Sequence, residues 1–293
     1  MKRIVVFTDL DGTLLDFHSY SYQKALPAVS LLKEKDIPLV ICSSKTKKEI
    51  EFYRKKLENH HPFISENGGG IFIPKDYFES DIQPCNPPAP PQGWIKRRPE
   101  GFSEDDEYLV IRLGARYSDL RKTIKELRKE GFNVKGFGDM TVQEIAEAAN
   151  LNIYEAEIAK ERDFDEPFVL TEGTDMHGLY ESIRAKGFNM TRGRFYHVLG
   201  ESDKGKAVSI LIDLYKQNWG DVTTIALGDS QNDIPMLEKV DYPVLVKKID
   251  GSYDSAVSIP GLIRADGIGP EGWNATVFLL LKKLQGAAPG NKL

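Results

Sequence analysis

Cysteine is scarce in this chain: of 293 residues only Cys42, inside an apolar run, and Cys85, in a proline-rich one, carry a thiol. Two thiols so placed give neither a disulfide framework nor the paired spacing of a zinc site, and the reducing cytoplasm is the expected location. A basic excess is missing as well. Lys and Arg number 39 against 44 Asp and Glu, a formal net charge of −5, and the short basic runs at 45–48, 54–56 and 96–98 read as solvated faces, so no nucleic-acid partner is expected. Long hydrophobic runs are also lacking. The apolar stretch after Met1-Lys2-Arg3 is cut off by Asp9 before it reaches the length of a signal-peptide core, and 277–281 is far too short to span a bilayer. The expectation is a soluble protein with no membrane partner.

What is present has the texture of a globular enzyme. Hydrophobic residues make up 41% and charged residues 28%, and the length allows two unequal domains. Apolar strand-like runs at 4–8 and 37–43 alternate with helical patterns at 23–36 and 47–58, the signature of a parallel sheet faced by helices. Pro27 falls in a first helical turn, where a missing amide is tolerated, and 62–74, with Gly68-Gly69-Gly70 in its middle, reads as a hairpin. Prolines crowd 84–99 and mark a linker or lid edge. Beyond them come strands at 108–113, 132–137, 164–171 and 189–199 with intervening helices, one opened by the capping pair Thr141 and Glu144. The parallel texture returns with a helix at 204–215 and a strand at 222–227, and Asn274 is the expected N-cap of the last helix. The fold class is therefore α/β: a Rossmann-like parallel-sheet core with helices on both faces, from 1–82 and 197–293, plus an inserted α+β domain at 83–196.

The chemistry concentrates at Phe7-Thr8-Asp9-Leu10-Asp11-Gly12-Thr13. Side chains two apart in an extended segment point the same way, which puts Asp9 and Asp11 toward one point where the strand gives out. Two adjacent like charges require a cation or a proton between them. The pair reads as a magnesium-dependent phosphoryl-transfer site, Asp9 the nucleophile and Asp11 the proton carrier; the alternative is an ordinary Asp-Gly turn. Ser43 ends the second strand, fit to donate to a phosphate or simply to cap the next helix. Lys204 opens a helix, where a lysine works against the dipole, and Asp229 ends an apolar strand, suited to a hard cation or to a turn with Asn232 and Asp233.

This ordered set resembles the haloacid dehalogenase superfamily. Asp9-Leu10-Asp11-Gly12-Thr13 matches its first motif, Ser43 the second, Lys204 the third, and Gly228-Asp229 with Asn232-Asp233 the fourth. The resemblance implies Mg2+ held by Asp9, by the backbone carbonyl of Asp11 and by Asp229, with Asn232 and Asp233 behind them, and it makes the insert a substrate-covering cap. A closer resemblance to the mannosyl-3-phosphoglycerate phosphatase family rests on Ser43-Ser44-Lys45-Thr46, Glu66-Asn67-Gly68-Gly69, Arg162 to Phe168, Arg192 to His197 and Gly269 to Asn274. It implies a small phosphorylated sugar-glycerate substrate, mannosyl or glucosyl, contacted by Lys45, Glu66, Asn67, Gly68, Arg162, Glu166, Arg192 and Arg194. For Arg162 and Glu166 the alternative to sugar hydroxyls is each other, and His197 receives no role. Phosphatases of other sugar phosphates such as sucrose phosphate, a phosphomutase, and a phospho-accepting signalling receiver stay open as alternatives.

Overall fold

The computed structural model describes residues 2–78, 102–104, 107–170 and 173–286. The readings made for Cys85 and for the proline-rich segment 84–99 lie outside the described residues. Two compact units are present, one drawn from Met1–Cys42 and Val208–Leu293 and the other from Ser43–Ala207. Among the described residues no helix is long and apolar enough to cross a membrane.

The first unit opens with β1 (Arg3–Thr8), apolar on both faces and buried from Ile4 onward, as a strand covered from both sides must be. Helix α1 (Leu26–Glu34), with Pro27 in its first turn, returns the chain to β2 (Leu39–Cys42). After the second unit the chain comes back through α7 (Lys204–Trp219) to β11 (Val222–Gly228), α8 (Ile234–Leu237), β12 (Tyr242–Lys247), β13 (Ile263–Ile268) and α9 (Gly269–Gly286). These strands lie in the order β13-β12-β11-β1-β2, every neighbouring pair parallel. The chain runs outward from β1 to β2 on one side and from β11 to β13 on the other. Strand order thus reverses between β1 and β11, and the loops leaving their carboxyl ends diverge around a crevice.

The second unit holds α2 (Lys47–Lys56), β3 (Phe63–Ser65), β4 (Gly70–Pro74), β5 (Phe102–Glu104), β6 (Tyr108–Arg112), α3 (Tyr117–Lys129), β7 (Val134–Gly136), α4 (Val142–Ala149), α5 (Ile153–Lys160), β8 (Asp165–Leu170), α6 (Met176–Ala185), β9 (Asn189–Arg192) and β10 (Tyr196–Leu199). The predicted hairpin is β3 with β4, extended by β6 and β5 in an antiparallel ribbon. Its glycines are matters of space. A Cβ on Gly69, Gly70 or Gly114 would come within 2.2 to 2.6 Å of the buried Phe164 side chain. A second antiparallel sheet, β7-β8-β10-β9, packs Val134, Phe168 and Val198 against Leu120, Ile124 and Leu127 of α3 and Leu179 and Ile183 of α6. The α3 residues recur at the four- and three-residue spacing of one helix face. Thr141 and Glu144 form the expected capping box on α4.

Two local expectations are corrected. Residues 189–199, read as one strand, are the hairpin of β9 and β10, with Arg192 opposite Tyr196; between them the Gly193 N–H donates to the Phe195 carbonyl at 3.0 Å and closes the turn, and the Phe195 ring packs edge-on against Phe137, centroids 4.9 Å apart. Asn274 does not cap α9, which begins five residues earlier at Gly269, a left-handed residue with φ of +50°. Instead its Oδ1 accepts the backbone N–H of Ala28 at 2.9 Å, so it satisfies an amide in the first turn of α1, a group that a helix cannot pair internally.

Candidate active site

In the first unit the carboxyl ends of β1 and β11 deliver the acidic residues. The Asp9 N–H donates to the Leu227 carbonyl at 2.9 Å, which continues the β1–β11 ladder one step past the strand and ties Asp9 to the residues that carry Asp229. One carboxylate oxygen each from Asp9, Asp229 and Asp233 lies within 4.8 Å of the others, and all three residues are buried. Three acids gathered this closely out of water favour a hard cation among them, and oxygen is the donor such an ion takes. The Asp11 carboxylate is not one of the three. β1 ends at Thr8, so the turn that follows, not an extended strand, carries Asp11.

That turn has no room for alternatives. Gly12 is left-handed, with φ of +78°, and a Cβ there would stand 2.8 Å from Asp229 Oδ2. Thr13 Oγ1 donates to Asp229 Oδ1 at 3.4 Å, a long bond. A Cβ on Gly228 would come within 2.5 Å of the Asp233 Cβ, while Asp233 Oδ2 accepts the N–H groups of Asp229 and Ser230 at 3.0 and 3.2 Å and so fixes the loop after β11. Ser230 Oγ donates to Asn232 Oδ1 at 2.8 Å. Behind β1, Trp273 Nε1 donates to Thr8 Oγ1 at 2.9 Å, and Thr8 Oγ1 donates to the Asp9 carbonyl at 2.7 Å. Sequence reasoning gave Thr13 and Trp273 no role. Thr13 could have been found inside the first motif, whereas nothing in Gly269 to Asn274 says which strand the tryptophan meets.

The second unit gathers its own set. Ser43 is buried and is not a helix cap: Thr46 caps α2, its Oγ1 accepting the Glu49 N–H. Lys204 begins α7 and is almost fully buried, at 1% exposure, an unusual fate for a lysine. Lys45 pairs with Glu49 at 3.3 Å, both buried. Gly68 lies against the Asp203–Lys204 peptide, where a Cβ would approach the Asp203 carbonyl oxygen to 2.1 Å. Glu66 and Arg162 are 3.6 Å apart, and Arg162 also pairs with Asp165. Burial pushes the Glu66 carboxyl up, to about 8, against the pull of Arg162.

Glu166 and Arg162 do not bind each other. Glu166 accepts from Arg121 Nη1 at 2.6 Å, Tyr117 Oη at 2.7 Å and the Gly138 N–H at 2.9 Å, and Arg121 also pairs with Asp139. Arg192 is exposed with its guanidinium 4.8 Å from the Tyr196 ring centroid; Arg194 is half-buried in the β9–β10 turn. Burial acts to raise the Asp139 carboxyl, but Arg121 and Arg128 outweigh it and hold the group below the ordinary carboxylate range. A depressed acid lends stability above its unfolded value, about 4, and that contribution is lost as pH falls through the lower folded value. Asp139→Asn therefore lowers the unfolding temperature at pH 7, and the gap from the unaltered chain closes as the pH is taken below about 4. Thermal melts across that range check the sign; a gap that widens on acidification refutes it.

The profile of the family described as haloacid dehalogenase-like hydrolase matches residues 6–84 and 141–253. A glucosyl-3-phosphoglycerate/mannosyl-3-phosphoglycerate phosphatase of Methanococcoides burtonii is 46% identical over 286 residues, 97% of this chain and 98% of that protein. A protein of the same name from Persephonella marina is 43% identical over 96% of this chain and 98% of its own length. Among solved structures, a Thermoplasma acidophilum protein superposes with a TM-score of 0.66 at 16% identity, over 96% of this chain and 99% of that one; at that identity the likeness concerns the fold alone.

Proposed function

This chain belongs to the haloacid dehalogenase-like hydrolases, and from that premise we propose that it hydrolyses a glycosyl-3-phosphoglycerate, mannosyl or glucosyl, to the free glycosylglycerate and phosphate through an aspartyl phosphate on Asp9. The observation that carries the chemistry is the buried triad of Asp9, Asp229 and Asp233 at the reversal of strand order. The sugar-glycerate assignment leans on the two relatives that match nearly end to end.

In the proposed reaction an Asp9 carboxylate oxygen attacks phosphorus and the bond to the glycerate oxygen breaks. Asp11 gives its proton to that leaving oxygen. It then takes a proton from water as the water oxygen attacks the phosphoaspartate, which frees Asp9 and releases inorganic phosphate. Asp9, Asp229 and the Asp11 backbone carbonyl would hold Mg2+, with Asp233 and Asn232 bracing the Asp229 loop. Magnesium, when bound, neutralises charge on the phosphoryl oxygens. Ser43 and Lys204 are proposed to hold the nonbridging oxygens, a use that explains a buried lysine at a helix start. Arg192 and Arg194 are proposed to clamp the glycerate carboxylate, and Lys45 to assist at the substrate.

Phosphate release tests the reading directly. The mannosyl and glucosyl substrates are hydrolysed, sucrose phosphate and hexose phosphates far more slowly. Chelation of divalent cations abolishes turnover and added magnesium restores it. A preference for a plain hexose phosphate would remove the glycerate from the proposal, and activity untouched by chelator would remove the ion.

A further inference from the structure

Three consecutive residues of the β3–β4 turn are left-handed: Glu66, Asn67 and Gly68, with φ of +47°, +54° and +90°. Only glycine adopts that region freely, and two side-chain-bearing residues in succession persist only when the surroundings over-determine them. The surroundings here do so. Glu66 accepts the backbone N–H groups of Asp163, Phe164 and Asp165 at 3.0, 2.8 and 2.9 Å, and both of its oxygens take part. Asn67 Nδ2 donates to Asp165 Oδ2 at 2.8 Å, the oxygen that also lies 3.1 Å from His197 Nδ1.

What the held turn touches gives it a use. The Glu66 N–H donates to the Lys45 carbonyl and the Asn67 N–H to the Ser43 carbonyl, each at 3.0 Å. Arg162, which grips Asp165, donates to the intervening Ser44 carbonyl at 2.7 Å. On the other side Gly68 presses on the peptide between Asp203 and Lys204, where a Cβ would lie 2.9 Å from the Lys204 nitrogen. Resting on the reading of Ser43 and Lys204 as the phosphate holders, we infer that Glu66-Asn67-Gly68 is a positioning element: a strained turn that sets the backbone of Ser43 and of Lys204 at a fixed separation, braced from behind by Arg162, Asp165 and His197. Glu66 and Asn67 then act through Ser43 and Lys204, not on the sugar. The strain matters because a relaxed turn would swing Asn67 away from the Ser43 carbonyl and Gly68 away from Lys204 together. A displacement of about 1 Å at such groups is enough to lower turnover roughly 100-fold.

A comparison of two substrates separates positioning from sugar contact. Full-length Asn67→Ala is assayed on mannosyl-3-phosphoglycerate and on p-nitrophenyl phosphate, which shares the phosphoryl group and lacks the sugar-glycerate. The expected result is a kcat lowered by roughly 100-fold on both, with KM for the sugar substrate little changed. Asn67→Ser, which keeps a donor, recovers part of the loss; it also carries the test should the alanine variant not fold. In a Lys204→Ala background the Asn67→Ala loss shrinks, because both changes act through one group. A loss confined to the glycosylated substrate and expressed as a raised KM would make Asn67 a sugar ligand and overturn the inference, as would wild-type kinetics on both substrates. Full turnover by Asp9→Asn would instead strike the underlying phosphatase reading.

Discussion

Asp9→Asn releases phosphate from the glycosyl-3-phosphoglycerate at least about 10⁴ times more slowly than the unaltered chain, the scale seen when a covalent nucleophile is removed. The amide that replaces the carboxylate is nearly the same size, so packing is spared, and the backbone bond from residue 9 to Leu227 does not depend on the side chain. What is lost is the anionic oxygen proposed to form the bond to phosphorus. The melting temperature should therefore stay close to that of the unaltered chain, or rise a little, because the change relieves repulsion among Asp9, Asp229 and Asp233. Single-turnover mixing followed by quench reports whether phosphate stays on the protein. If Asp9→Asn turns over at the wild-type rate, the nucleophile lies elsewhere.

The second large effect is on stability. Among the described residues Trp273 is the largest fully buried side chain, with 0% exposure, and Trp273→Ala removes a whole indole from the core beside Thr8. Large-to-small changes of this kind cost about 3–5 kcal/mol, which lowers the melting temperature of a domain this size by roughly 10 °C. Trp273→Phe keeps most of the volume and loses the bond to Thr8 Oγ1, a smaller deficit of about 1 kcal/mol. The phenylalanine variant is the informative one for function. Thr8 Oγ1 also donates to the Asp9 carbonyl, so loosening it disturbs the peptide of the proposed nucleophile, and the expected result is a lower turnover while the fold persists. Calorimetry with parallel kinetics checks both; an alanine variant within about 1 kcal/mol of the unaltered chain would mean that the site collapses to fill the hole.

Much of the site could be read from the chain because its parts are local. Asp9 comes just after the apolar run Ile4-Val5-Val6-Phe7, and Asp229 just after Ile225-Ala226-Leu227; an apolar run that gives out into an acid is visible without neighbours. The glycines were legible as turn formers, yet their reasons were not: Gly12 makes way for Asp229, Gly69 and Gly70 make way for Phe164, and each partner is remote in sequence. Arg162 and Glu166 looked like a possible pair. They part because Glu166 faces Arg121 and Tyr117 while Arg162 faces Glu66 and Asp165; alternation along β8 sends neighbouring side chains to opposite faces, and which charge waits on each face is a property of the packed unit. Asn274 misled for a related reason. Asn is a good helix cap, but the helix it serves is α1, not its own.

By itself the order of residues determined the class of fold, the parallel strands with their helices, the pair of acids at the end of the first strand and the family to which the chain belongs, since all of these depend on short-range spacing and on motifs a few residues long. Only the tertiary structure decided that Asp233 joins Asp9 and Asp229, that Asp11 rides on a turn, that Trp273 anchors Thr8, and that the side chain of Glu66 serves the backbone N–H groups of residues 163–165 while that of Asn67 serves Asp165. Those facts hang on strand order and on contacts between residues as far apart as Thr8 and Trp273, and such contacts form only when every element packs at once, so no local window of the chain contains them.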